Sequence, residues 1–236
     1  MGQDKIVWTA AKLKNKVLRD LDLEGEDFVT TTELHGYLED AVADAETLVH
    51  DIYEDYFLSR EVIDLEEDED SYDLPDVIYA HKIRLIQYVE SGLCYTVPRM
   101  RNIEKFLDYN TARIYSETRN DRNLRYFIFN TTAGEPKITL SPIPTAANEG
   151  KLHVWFIRKA NRLEEDTDIL DIPEADRYIM QHVKVRCYEK EGHPNLQMAL
   201  STLEALRGQL VSTLTTMVPD ENNTIPMDLS AYEDMN

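Results

Sequence analysis

The chain is short of the residues from which most enzyme and metal sites are built. It has two cysteines, Cys94 and Cys187, far apart and with no CxxC spacing. That excludes a disulfide framework or a thiolate zinc site, and two free thiols in a reducing cytoplasm are expected. Only eight glycines occur, and none falls in a GxGxxG, GxxxxGK[ST] or GxSxG pattern. Phosphate cradles and nucleophile elbows need such loops. The six histidines (His35, His50, His81, His153, His182 and His193) lack the HExxH spacing of a helical zinc site and read as ordinary core or surface residues. No segment approaches the roughly 20 apolar residues of a membrane helix. The N-terminal stretch has lysines without an apolar run, so no signal peptide is expected.

Basic residues are missing from one region in particular. Between Asp20 and Asp76 there are 22 acids and a single base, Arg60, whereas the rest of the chain holds 23 acids and 24 bases. One region therefore carries the whole imbalance behind a net charge of −20. A surface of that sign repels nucleic acid over roughly 8 Å at physiological salt. It serves as a solubilising face or as a wall that DNA passes without sticking, and not as an ordinary basic DNA-binding surface. The run Glu66–Asp70 lacks the glycine and terminal glutamate of a calcium loop, which favours solvated repulsion over metal binding. Paired carboxylates are so abundant that no pair stands out as acid and base.

What is present is a core-forming pattern, with 42% hydrophobic residues, enough to exclude disorder throughout. Residues 4–19 read as a helix. A longer one, capped by Thr31 or Thr32, carries an apolar stripe of Leu34, Leu38, Ala41, Ala45, Leu48, Ile52 and Tyr56. Its other side holds Glu39, Asp40, Asp44, Glu46, Asp51, Glu54 and Asp55. Strands are expected at 57–65, 77–89, 93–97, 124–130, 137–141 and 151–158, with a short helix at 99–108 and a polar loop at 109–123. In the last strand Leu152, Val154 and Phe156 alternate with His153, Trp155 and Ile157. Several of the 13 tyrosines fall in these strands and read as ordinary strand packing. Helices return at 174–190 and 195–215. The expectation is an α+β fold: a helical bundle formed by the N- and C-terminal helices (1–56 and 173–215), an inserted antiparallel β region (57–172) and an extended tail (216–236).

The order of these pieces resembles the head-to-tail connector, or adaptor, family of tailed bacteriophages. The resemblance rests on FVTTTELHGYLEDAVADAETLVHDI running into DYFLSREVIDL, on Tyr72 to Pro75, on Pro142 to Pro144, and on Leu163 to Pro173 before the last helices. It spans roughly residues 28–215. It implies a non-enzymatic structural subunit of the virion neck, made in the host cytoplasm, without cofactor or metal. Such proteins form a homo-oligomeric ring, usually dodecameric, beneath the portal protein. They extend the DNA channel, touch DNA only in passage and present a surface to the next neck or tail component. Within that frame Glu39, Asp40, Asp44, Asp51, Glu54 and Asp55 are candidates for an acidic or channel-lining face. Ile225, Met227, Leu229 and Tyr232 are candidates for a tail that orders on a partner. Two other readings stay open: an acidic adaptor or DNA mimic whose partner is basic, and an enzyme with a carboxylate-held metal.

Overall fold

The computed structural model describes residues 7–23, 28–90, 92–114, 124–130, 136–144 and 150–218. The chain divides into two compact units, one of residues 1–53 with 161–236 and one of residues 54–160.

The first unit is helical. Thr9 starts α1 (Ala10–Asp20) by accepting from the Lys12 amide at 3.3 Å. The stretch before it bonds to the stretch before the C-terminal helices: Ala10 N donates to Asp168 O and Leu170 N to Trp8 O, both at 2.9 Å. Helix α2 (Thr31–Ile52) begins one residue earlier than the sequence suggests. Thr30 is the N-cap, and a reciprocal pair with Glu33 satisfies two amide donors at once. Helix α2 also ends earlier than expected. Tyr53 turns away at ψ 79, and residues Glu54–Phe57 form a separate 3-10 turn, so Tyr56 does not lie on the helix stripe. Leu34, Leu38, Ala41, Ala45 and Leu48 are buried as the stripe predicts. Helix α4 (Asp176–Glu191) buries Tyr178, Ile179, Val183 and Cys187 and stops at Gly192, whose left-handed φ of 66 is the usual helix-ending conformation. Helix α5 (Leu196–Met217) packs on α4 and α2 through Ala199, Leu210 and Leu214.

The second unit is a pair of antiparallel sheets around one core. Strands β1 (Leu58–Asp64), β3 (Ile78–Glu90), β4 (Leu93–Thr96) and β7 (Lys151–Arg158) form a sheet in the order β1-β7-β3-β4. Strands β2 (Ser71–Asp73), β5 (Arg125–Asn130) and β6 (Pro136–Ser141) form the other, in the order β2-β6-β5. Leu152, Val154 and Phe156 of β7 face the core, as their alternation indicates. Ile86, Tyr88, Ile138, Leu140 and Tyr126 meet them there. Gly150 is required at the start of β7, because a Cβ there would lie 2.1 Å from the Tyr88 ring. Strand β3 is interrupted by a bulge: its register shifts between Ile78 and Ile83, and Ala80 and His81 both take positive φ. Between β4 and β5 in sequence lies α3 (Ile103–Ile114), which runs through residues 109–114 that the sequence reading left as loop. Its buried Phe106 sets it against Phe127, with ring centroids 5.7 Å apart.

Candidate functional site

The six acids singled out in the sequence fall in both units. Glu39, Asp40, Asp44 and Asp51 lie on α2, while Glu54 and Asp55 lie in the 3-10 turn of the second unit. Each set has its own surroundings. Asp40 and Asp44, one turn apart, line a cleft of about 590 Å³ with Tyr178, His182 and Arg186 of α4 and Glu204 and Arg207 of α5. The Tyr178 hydroxyl donates to Asp44. Burial, and then this acceptor, push the tyrosine well above its ordinary range. Burial lowers His182, keeping its imidazole neutral against the pull of Asp44. Glu39 is half-buried, 3.8 Å from His35, and Asp51 is exposed. Glu46 does not belong to the acidic face: it is 6% exposed and packed within 3.8 Å of His50.

Glu54 and Asp55 are bound into an ion cluster. Arg84 of β3 reaches Glu54 at 2.5 Å and Asp55 at 2.7 Å, and Lys82 reaches Glu54 at 3.1 Å. The Lys82 bond holds Glu54 below its usual value against the opposing effect of burial, with Arg84 adding to the shift. Beyond β1, the acidic tip Glu66–Asp70 is braced from inside. The Tyr72 hydroxyl accepts from the Glu66 amide at 3.1 Å and donates to the Glu69 carbonyl at 2.9 Å. The backbone is tied down, and Glu66 to Glu69 project outward as an exposed run of like charge.

Sequence reasoning missed the ion pairs that tie the helical unit together. Lys190 bonds both Glu33 and the Phe28 carbonyl, Lys184 bonds Asp20 at 2.6 Å, and Lys14 bonds Asp166 at 2.5 Å. Each joins residues more than a hundred positions apart, and nothing local announces them. Among the described residues no group of three or more His, Cys, Asp or Glu is placed to hold a metal ion, and no helix is long and apolar enough to cross a membrane. The candidate tail residues Ile225, Met227, Leu229 and Tyr232 lie outside the described residues.

Helices together with antiparallel sheets make the α+β fold read from the sequence. The comparison that decides the matter is with protein-family models: the SU10 adaptor protein model matches residues 8–224. The chain belongs to the SU10 adaptor protein family. It is therefore a phage adaptor, a viral structural protein of the head–tail neck and a component of the virion. No match is found among the curated proteins. The family match reaches past α5 into the tail and back almost to the N-terminus, further in both directions than the pattern of elements alone carried.

Proposed function

We propose that the adaptor is the subunit of a closed ring in the phage neck, docked on the portal and carrying the DNA channel on towards the tail. The observation that carries this reading is the match to the adaptor family over residues 8–224. Charge supports it. The helical unit holds 27 acids against 11 bases, a balance of −16, whereas the β unit holds 18 against 14. A surface as acidic as the helical unit's repels the DNA backbone and keeps the duplex moving. Asp40, Asp44 and Asp51, with Glu39, are the channel-facing candidates on α2. Glu54 and Asp55 are placed second, because Arg84 and Lys82 already offset them. The tail beyond residue 216 is the candidate for docking a neighbouring neck component through Ile225, Met227, Leu229 and Tyr232. The protein acts by position and surface, without catalysis.

Negative-stain electron microscopy of the purified protein, alone and mixed with the portal of the same phage, tests this directly. Rings with a central hole are expected in one sample or both. A monodisperse monomer that neither forms rings nor binds the portal overturns the reading.

A further inference from the structure

The four-stranded sheet of the β unit ends in two outer edges that differ in almost every respect. At one end is β1, paired through Leu58 to Asp64 with β7 and, among the described residues, on that inner side only. At the other is β4, paired through Leu93 to Thr96 with β3. An outer edge presents a row of backbone donors and acceptors to whatever approaches it. Both edges also present apolar side chains: Leu58 is 43% exposed, Val62 42% and Leu93 54%.

Their charges are opposite. The segment from Leu58 to Asp70 holds seven acids and one base, Arg60, and Arg60 lies over the Trp155 ring. The segment from Gly92 to Asn102 holds Arg99 and Arg101, both exposed, and no carboxylate. Two β1 edges repel one another, and so do two β4 edges. Unlike edges attract.

Strand direction fits the same contact. Each neighbour in the order β1-β7-β3-β4 is antiparallel to the last. A β1 from another copy, laid beside β4, continues that alternation. Side-chain rows continue as well. Across the sheet, Tyr95 of β4, Tyr88, Leu152 and Ile63 of β1 form one core-facing row, in which Tyr88 and Leu152 are fully buried. Its two ends, Tyr95 and Ile63, are only partly buried. Cys94, Val89, Lys151 and Asp64 form the adjacent row on the opposite face.

We propose that the sheet continues from copy to copy, the outer edge of β1 in one subunit pairing antiparallel with the outer edge of β4 in the next. Tyr95 then lies beside Ile63 of the neighbour and Cys94 beside its Asp64, with the pairing confined to Leu93–Thr96 because Pro98 and Met100 already bond to Tyr126 of β5. The contact joins unlike edges, so it is head-to-tail, and such contacts close into rings when the rotation between copies permits. The inference rests on the ring reading above and assigns the strands that make the ring.

Cys94 supplies the probe. It is exposed on β4, while Cys187 is buried. Directly opposed residues of antiparallel strands have Cβ atoms about 4.5–5.5 Å apart, close enough for a disulfide with slight adjustment. Asp64→Cys, Val62→Cys and Arg60→Cys are each made in the full chain, assembled alone and on the portal, and oxidised. A ladder of covalently linked multiples is expected for Asp64→Cys on a non-reducing gel, and its loss when Cys94→Ser is added. A ladder at Val62→Cys instead moves the register by two residues and keeps the edge pairing. Rings seen by microscopy with no ladder at any of the three positions overturn the shared sheet and leave the ring reading standing. No ring in either sample overturns both.

Discussion

The two units of this adaptor are held together by different means. In the helical unit the contacts that join distant parts of the chain are repeatedly ionic. Lys14–Asp166, Lys184–Asp20 and Lys190–Glu33 each clamp one element to another, and Tyr178 donates to Asp44. The β unit has ion pairs too, such as Arg84–Glu54 and Lys151–Asp64, but there the joining falls chiefly to backbone ladders and to one apolar core drawing on both sheets. The difference follows from what each architecture satisfies internally. A helix uses up its backbone hydrogen bonds within itself, so the helices meet through side chains, and lysines of α1 and α4 bond carboxylates elsewhere in the unit. A sheet uses its backbone bonds between strands, so its carboxylates are left on tips and edges. In this molecule the second arrangement leaves Glu66 to Glu69 exposed at a tip, whereas the first ties Asp20 and Glu33 to lysines far along the chain.

The largest expected effect comes from placing charge where the helical unit has none to answer it. Leu48 is on the buried stripe of α2, at 8% exposure. Leu48→Asp buries a carboxylate without a partner and is expected to cost about 3–5 kcal/mol, comparable to breaking a buried pair. Far-ultraviolet circular dichroism during thermal unfolding measures it. A variant that keeps its helical signal and its midpoint would show that the helical unit absorbs buried charge, and the contrast between the units would be lost. Next is Gly150→Ala in the β unit. The added methyl meets the fully buried Tyr88 ring, and overpacking of this kind costs about 1–3 kcal/mol. The double variant with Tyr88→Leu makes room, so part of the loss should return in urea unfolding. Recovery sharpens the claim that packing, rather than charge, governs this unit.

Much of the fold was legible in the sequence because its period was long and clean. Five apolar positions of α2 repeat at three- and four-residue steps and all five are buried. The alternation of 151–158 placed the core face of β7 correctly. Glu46 and His50 were not legible, for a geometric reason. Helix α2 is packed on by α1, α4 and α5, so burial wraps round it well beyond a single stripe and takes in Val42 and Val49 too. The bulge at Ala80 and His81 was hidden because neither is the glycine that usually marks a left-handed position. The C-terminal half of α3 was hidden because its polar sequence has no apolar period, while the turn anchored by Phe106 carries the helix forward. Of the candidate site, the acids themselves could be named, but their partners could not. Asp44 and Tyr178 lie 134 positions apart.

A smaller effect is expected from Tyr178→Phe, which removes one charge-assisted bond between α4 and α2. Tyr178 is buried but its acceptor Asp44 is exposed, so water replaces part of what the carboxylate loses and about 1 kcal/mol is expected. Asp44→Asn keeps an acceptor for the hydroxyl and should cost less. If both variants unfold at the parent midpoint in urea, the tie is incidental, and the helical unit relies on its apolar stripes as the β unit relies on its core.

The smallest effect is the most diagnostic, because its sign with pH is fixed in advance. The Lys190 bond, with the Thr30 cap, lowers Glu33 from 4.5 to about 2. Lys14 lowers Asp166, and Lys16 and Lys184 lower Asp20 against the opposing effect of burial. A carboxylate depressed in the folded state binds its proton less readily than in the unfolded chain. Its contribution is present above the unfolded value and is lost as pH falls through the folded one. For Glu33 the window therefore runs from 4.5 down to about 2. The pair is exposed, so the effect on the urea midpoint is expected to be slight. Lys190→Met should lower that midpoint at neutral pH and match the parent once the pH is below the window. Raising the salt at neutral pH should narrow the gap between variant and parent, since exposed pairs are screened. A gap that persists unchanged at low pH would assign the effect to the packing of Lys190 over the Phe28 ring, 5.0 Å away, and would remove this pair from the ionic ties of the helical unit.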